Sequence, residues 1–271
     1  MSMSEHGGAS ADWLQLRSAA DTPARDHGSA GLLERLVEHL RQRGPEKLRM
    51  IDVGAGTGAN RAYLEPRLPF DQVWVAVDHD PVLLDHGDHG ESDRIEAGVE
   101  DLVHVLERFD NHGPVVTVMT CTALLDVLTT RELGCFADAV EAFQTPALLA
   151  MSVTGAVTWT PADDADVLLS GAFNAHQQSN GRTGGAAVSV LRSDLGARGL
   201  DVMTAQTPWV LDASNPDVFG RWLDERVKAA VQQRPQEAPE LEGWARRRAA
   251  QLRAGDLVAR VGHEDLLILP A

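Results

Sequence analysis

The chain has little with which to hold a nucleic acid, a membrane or a disulfide. Against 40 Asp and Glu it sets 24 Lys and Arg, a formal charge of −16. A surface that negative repels phosphate backbones and anionic lipid heads, so neither nucleic acid nor membrane is an expected partner. Cysteine is nearly absent. Cys121 and Cys135 lie inside apolar stretches and in no CxxC or Cys/His zinc spacing, which predicts reduced, buried thiols in a cytoplasmic protein. No run reaches the ~18–20 apolar residues of a membrane helix. Residues 1–12 lack a basic stretch followed by an apolar one, so no secretory signal is expected. What remains is an ordinary globular mixture, 44% hydrophobic and 24% charged over 271 residues. That length suits one enlarged α/β domain, or a domain with a cap.

Periodicity divides the chain. Residues 1–11 are small and polar and read as a loose leader. Residues 12–44 read as helical, with Leu32, Leu33, Leu36, Val37 and Leu40 at 3–4-residue spacing and Gly44-Pro45 as the stop. Strands are expected at 48–53, 73–77, 115–119 and 147–153, with Pro81 in the first turn of a helix after the second. A helix near 131–143 follows the third. Beyond these come helices at 166–178 and 188–198 around a loop at 179–185, and a strand within 200–211. Helices at 217–233 and 240–253 precede a final strand at 258–269. Strands alternating with helices predict βαβ units and a mostly parallel sheet with helices on both faces.

The most informative segment is Asp52-Val53-Gly54-Ala55-Gly56-Thr57-Gly58, a strand ending in a carboxylate that runs into three alternate glycines and then a helix. Glycine is needed where backbone turns tightly and touches a ligand without an intervening Cβ. The helix N-terminus behind it offers free N–H groups to a ligand carboxylate, and Asp52 can answer a ligand ammonium. Asp78, at the end of the next strand, can accept hydrogen bonds from the vicinal hydroxyls of a ribose. Together they describe a pocket for an adenosine joined to an amino acid.

The D-V-G-A-G-T-G turn, the V-W-V-A-V-D strand end, V-E-D-L at 99–102 and T-C-T-A-L-L-D at 120–126 resemble class I S-adenosylmethionine-dependent methyltransferases. The resemblance spans roughly residues 48–155. It implies a Rossmann-like sheet of seven strands, the last antiparallel and placed at 258–269. It also implies S-adenosylmethionine as cofactor, with S-adenosylhomocysteine as product and no metal. Asp101 would meet the adenine amino group, Leu102 the ring, and Thr120 to Thr122 the region of the methyl group. Such families commonly fold an N-terminal segment over the cofactor, so residues 1–45 are expected to form a helical lid. From it Arg17 or Arg25 would pair with a carboxylate of cofactor or substrate. The cofactor set then comprises Asp52, Gly54, Ala55, Gly56, Gly58, Asp78, His79, Glu100, Asp101, Leu102, Thr120, Cys121 and Arg25. The chain departs from the family in its helical insertion, about residues 216–254, inside the domain 46–271. There the family has a short connection.

Other readings stand beside this one. Gly54-x-Gly56-x-x-Ala59 also fits a nicotinamide dinucleotide turn, and an NAD-dependent oxidoreductase is the alternative enzyme. Asp52, two residues before the first glycine, and the third glycine Gly58 favour the methyl donor. A non-catalytic binder of the same cofactor is a third class. His176 is the candidate catalytic base, with Asn174 and Gln177 beside it as acceptor contacts. Otherwise His176 caps or faces solvent. Asp126 would face the substrate or favour a helix start. Asp78-His79-Asp80 and Asp85, His86, Asp88 and His89 read as a polar loop rather than a metal site. Arg246, Arg247, Arg248 and Arg253 read as a solvated face, Asp21 and Arg25 as an i,i+4 pair, and Trp209, Trp222 and Trp244 as core. The expected reaction moves a methyl group to oxygen or nitrogen of a small-molecule acceptor by in-line displacement. Holding the reactants in contact can supply ~7–11 kcal/mol of it. The protein is expected to be a monomer or homodimer.

Overall fold

The computed structural model describes residues 11–109 and 114–270, so residues 1–10 of the expected leader lie outside it. The expected N-terminal helix is two: α1 (Ala11–Gly28) and α2 (Ala30–Arg43), the latter closed by Gly44 in the left-handed conformation. Then follow β1 (Lys47–Val53), α3 (Ala59–Leu64), β2 (Gln72–Asp78), α4 (Pro81–His86), β3 (Asp93–Glu96), α5 (Leu102–Glu107) and β4 (Val115–Thr122). Next come α6 (Thr130–Phe143), β5 (Ala147–Thr160), α7 (Asp166–Gln177) and α8 (Ala187–Ala197). The chain ends with β6 (Asp201–Gln206), β7 (Trp209–Leu211), α9 (Pro216–Gln233), α10 (Ala238–Ala254) and β8 (Val258–Leu269).

The sheet has eight strands rather than the seven expected. Their order is β3-β2-β1-β4-β5-β8-β6, with short β7 paired to β8. Strands β1 to β5 pair in parallel, and β8 runs antiparallel to β5, β6 and β7. Because β8 is twelve residues long, its C-terminal half pairs with β6 and its N-terminal half is left for β7. Strand β5 is equally extended, reaching Thr160 instead of 153, and its register against β8 shifts twice between Leu149 and Val157. The unexpected strand β3 is short, polar and largely exposed, so it has no hydrophobic signature.

Alternation along β1 sets the two faces. Leu48 and Met50 point into a cluster with Leu36 and Leu40 of α2 and Leu64 of α3; Ile51 and Val53 point to the opposite cluster with Leu102 of α5, Phe136 of α6 and Leu191 of α8. Helices therefore cover both faces. A third cluster joins α1, α7, α9 and α10 around Trp159, Phe219, Trp222 and Trp244, beside Trp209. Trp209, Trp222 and Trp244 are core, as expected. Arg248 is not on a solvated face. It is fully buried, pairs with Asp166, and donates to the carbonyl of Pro161 at 2.7 Å. Arg247 pairs with Asp163 at 2.7 Å. Of the two thiols, Cys121 is buried and Cys135 half-buried, both free. Among the described residues no helix is long and apolar enough to cross a membrane.

Candidate functional site

Strand β1 delivers the glycine turn to the C-terminal edge of the sheet, where parallel α/β sheets leave a crevice. Gly54 and Gly56 have φ of +65° and +55°, and Gly58 has +86°, all left-handed values that L side chains rarely adopt. Space reinforces the requirement at Gly58, where a Cβ would lie 2.2 Å from the carbonyl oxygen of Asp88. The turn is stitched to β2. The N–H of Ala55 donates to the carbonyl of Val77 at 3.1 Å, and that of Gly56 to Asp78 Oδ2 at 2.8 Å. Asp78 Oδ1 accepts the N–H of Asp80 at 3.0 Å, which leaves lone pairs on both oxygens for a ligand. The helix after the turn is shorter than a strong dipole needs. Helix α3 has six residues, so the expected pull on a ligand carboxylate comes from local N–H groups.

Above the turn lies a cavity of about 410 Å³. Its walls include Gly54, Ala55, Gly56, Asp78, His79 and Glu100 of the expected set. Helix α1 closes one side with Leu14, Arg17 and Asp21, and a Cβ on Gly56 would come within 3.2 Å of Leu14 Cδ1. Asp21 anchors that helix. It pairs with Arg17 at 2.9 Å, in place of the expected Arg25, and accepts the indole N–H of Trp209 on β7 at 2.9 Å. The remaining walls come from Gly98 and Val99 and from the stretch after β4, where Thr122, Ala123, Leu124, Val127 and Leu128 gather with Glu132 and Arg182.

The other expected residues stand elsewhere. Asp52, Thr120 and Arg25 lie beneath the turn, all buried, and Asn60 of α3 joins them. Its Nδ2 donates to Asp52 Oδ1 at 2.7 Å and to Thr120 Oγ1 at 3.0 Å, while its Oδ1 accepts from Arg25 Nη1 at 3.0 Å. Burial pushes the Asp52 carboxyl up to about 7 against the opposing pull of Asn60 and Arg25. Cys121 is fully enclosed, and burial drives its thiol well above the usual range, so it is inert. Gly58 shapes the turn without lining the cavity. Asp101 stands exposed at the start of α5 without a capping hydrogen bond from its side chain, and Leu102 is fully buried core. At this wall the chain offers Gly98, Val99 and Glu100 in their place.

Helix α7 does not bring Asn174, His176 or Gln177 to the cavity wall. Asn174 Nδ2 donates to the carbonyl of Gly155 at 3.2 Å, and His176 Nδ1 is buried with no hydrogen-bond partner among the described residues. Asp126, next to the wall residue Val127 in the chain, is also buried, and burial raises its carboxyl to about 6. Among the described residues no group of three or more His, Cys, Asp or Glu could hold a metal ion.

Several residues of the wall and of the layer beneath the turn escaped the sequence reading. Glu132 had a legible signal, since Thr129-x-x-Glu132 is a capping box and the structure forms it, Glu132 Oε2 accepting the N–H of Thr129 at 2.7 Å. Asn60 had none. It is a polar residue on a short helix, and only the tertiary fold turns it inward.

No family model and no curated protein matches the chain. Solved structures similar to it include a cyclopropane synthase from Mycobacterium tuberculosis, at 13% identity over 96% of this chain and 94% of that one, with a TM-score of 0.49. A cyclopropane-fatty-acyl-phospholipid synthase-like protein from Lactobacillus casei is similar at 11% identity, over 96% and 94% of the two chains, with a TM-score of 0.48. Human N-acetylserotonin methyltransferase, in complex with S-adenosylmethionine, is similar at 13% identity, over 64% of this chain and 47% of that one, with a TM-score of 0.39.

Proposed function

We propose that the protein is an S-adenosylmethionine-dependent methyltransferase acting on a small molecule. The observation that carries this reading is the pairing of Asp78 with the glycine turn across the floor of one cavity. A carboxylate fixed by two backbone N–H groups suits a ribose diol, and the close-approach glycines beside it suit the amino-acid arm of the donor. The adenine would lie between Gly98, Val99, Glu100 and the apolar residues after β4. This chain's residues then bind and orient. Asp78 holds the sugar, Leu124 and Leu128 flank the base, and Leu14 with Arg17 covers the arm. The donor's sulfonium supplies an already activated methyl group, so no metal or covalent intermediate is required.

Helix α1 is the proposed lid. Leu14, Arg17 and Asp21 wall the cavity on one side, which favours a small molecule accepting through oxygen or nitrogen over a polymer. The net charge of −16 points the same way. The acceptor end is assigned to Thr122, Ala123, Arg17 and Asp21, which line the cavity, ahead of His176, which does not.

Thermal shift with S-adenosylmethionine, S-adenosylhomocysteine and NAD side by side tests the reading. Ligand at 100 times its Kd adds ~2.7 kcal/mol. At about 2–4 °C per kcal/mol for a chain of this size, Tm should rise by several degrees with the first two ligands and not with NAD. A rise with NAD alone would make the protein an oxidoreductase. Binding of S-adenosylhomocysteine without methyl transfer to any acceptor in a metabolite panel would make it a non-catalytic binder.

A further inference from the structure

The polar loop between α7 and α8 is pinned to the stretch after β4. The N–H and the hydroxyl of Thr183 both donate to the carbonyl of Leu128, at 2.9 and 2.7 Å, and Arg182 pairs with Thr129 in an isolated antiparallel bridge. On its other side the loop lies against β5, where a Cβ on Gly185 would come within 2.4 Å of the carbonyl oxygen of Thr154. Arg182 is thereby set into the cavity wall with Leu128 and Glu132. Two guanidiniums line that wall, and they differ. Arg17 gives two hydrogen bonds to the carboxylate of Asp21, at 2.9 and 3.1 Å. Arg182 is half-buried, yet its side chain makes no ion pair and no hydrogen bond among the described residues. Glu132 does not answer it, because Glu132 Oε2 already accepts the N–H and the hydroxyl of Thr129, each at 2.7 Å.

Asp126 relates the two cations. Burial raises its carboxyl, and Arg17 and Arg182 both act on it in the opposite sense, so the two guanidiniums flank one acid. Arg182 therefore belongs with Arg17 at the acceptor end of the cavity. A planar guanidinium with unused N–H donors suits a carboxylate held by two parallel hydrogen bonds. We propose that Arg182 determines acceptor specificity by binding a carboxylate of the methyl acceptor, so that the acceptors are small carboxylic acids. This narrows the methyl-donor reading and rests on it. A carboxylate gripped on both oxygens is a poor nucleophile, so a second oxygen or nitrogen of the same molecule takes the methyl group. The S–C bond breaks as the new O–C or N–C bond forms, sulfur keeps the electron pair, and the acceptor's proton passes to water. A singly charged group fits better than a phosphate, whose extra charge would stand among Asp21, Asp126 and Glu132. The net charge of −16 opposes an anionic polymer far more than one carboxylate, because it is screened over about 8–10 Å.

The test is ligand-observed NMR titration of the full chain saturated with S-adenosylhomocysteine. The probes are benzoate, 4-hydroxybenzoate and 3-phenylpropionate, the carboxamide of each, and inorganic phosphate. At least one acid should bind about tenfold or more tightly than its own carboxamide, and more tightly than phosphate. Arg182→Gln should weaken that acid by roughly 10- to 100-fold, the loss of a charged hydrogen-bonded pair, and abolish the preference over the amide. It should leave S-adenosylhomocysteine affinity within about twofold. Arg182→Lys, which keeps the charge but not the fork, should fall between and covers the case in which Arg182→Gln does not fold. No acid preferred over its amide by the wild type, or a preference that survives in both variants, would overturn the proposal. So would tighter binding of phosphate, or a loss of S-adenosylhomocysteine affinity as large as that of the acid, which would assign Arg182 to the donor. If the wild-type chain did not bind S-adenosylhomocysteine, the methyl-donor reading itself would fall.

Discussion

At the scale of single residues, buried acids set the pH behaviour of the free protein. Asp126 titrates near 6 in the folded chain because burial raises it, and Asp52 near 7 for the same reason. In the unfolded chain both release their protons near 4. As pH rises from about 4, the unfolded state loses these protons first, so each group contributes stability at low pH that is lost as pH climbs through its folded value. His263 acts in the opposite sense, since burial lowers it to about 4, and its contribution is lost as pH falls below about 6.5 toward 4. Replacing one acid at a time isolates its share. Asp126→Asn should leave Tm nearly unchanged near pH 3 and raise it relative to wild type by pH 7, with the gain complete above pH 6–7. A constant difference across that range, measured by calorimetry in matched buffers, would mean that Asp126 does not titrate there. Such acids were visible in the sequence as letters, but their burial was not. Asp52 could be read because it precedes the glycines, whereas Asn60, which donates to it, had no pattern to announce it.

At the scale of elements, α9 and α10 are held by the apolar cluster around Trp159, and a few buried polar contacts add to it. Trp244 donates its indole N–H to Asp166 at 2.7 Å, and Arg248, one turn on, pairs with the same carboxylate. Trp159 sits 5.1 Å from Trp244 in an edge-on arrangement. Removing Asp166 would strand a fully buried guanidinium, a loss of about 3–5 kcal/mol when a buried pair is broken. Asp166→Ala is therefore expected to lower the urea midpoint strongly, toward the smaller figure because Asp166 is itself 17% exposed on its side chain. A midpoint within error of wild type would show that α10 is held by packing alone. Both helices were legible from spacing and from Pro216 and Pro239 near their starts. The role of Arg248 was legible too, since Leu241, Trp244 and Arg248 fall at i, i+3 and i+7 on one buried face. Taking three consecutive arginines as one surface feature obscured it.

At the scale of the whole molecule, parallel order and position follow from strands of period two between helices of period 3.6, which is why β1, β2, β4 and β8 were found at nearly their observed bounds. What escaped was set by tertiary pairing. The short strand β3 is polar and exists because β2 offers it an edge, and β7 exists because β8 is longer than β6. The cavity is likewise a product of assembly, since its walls come from α1, the turns after β1 and β2, the stretch before α5 and the segment after β4. The central claim is that this assembled space binds a methyl donor through Asp78. Isothermal titration of the full chain with S-adenosylhomocysteine, beside an Asp78→Ala variant, tests it most directly. The account predicts one-to-one binding by the wild type and none measurable in the variant. No heat with the wild type, or equal affinity in both, would contradict it.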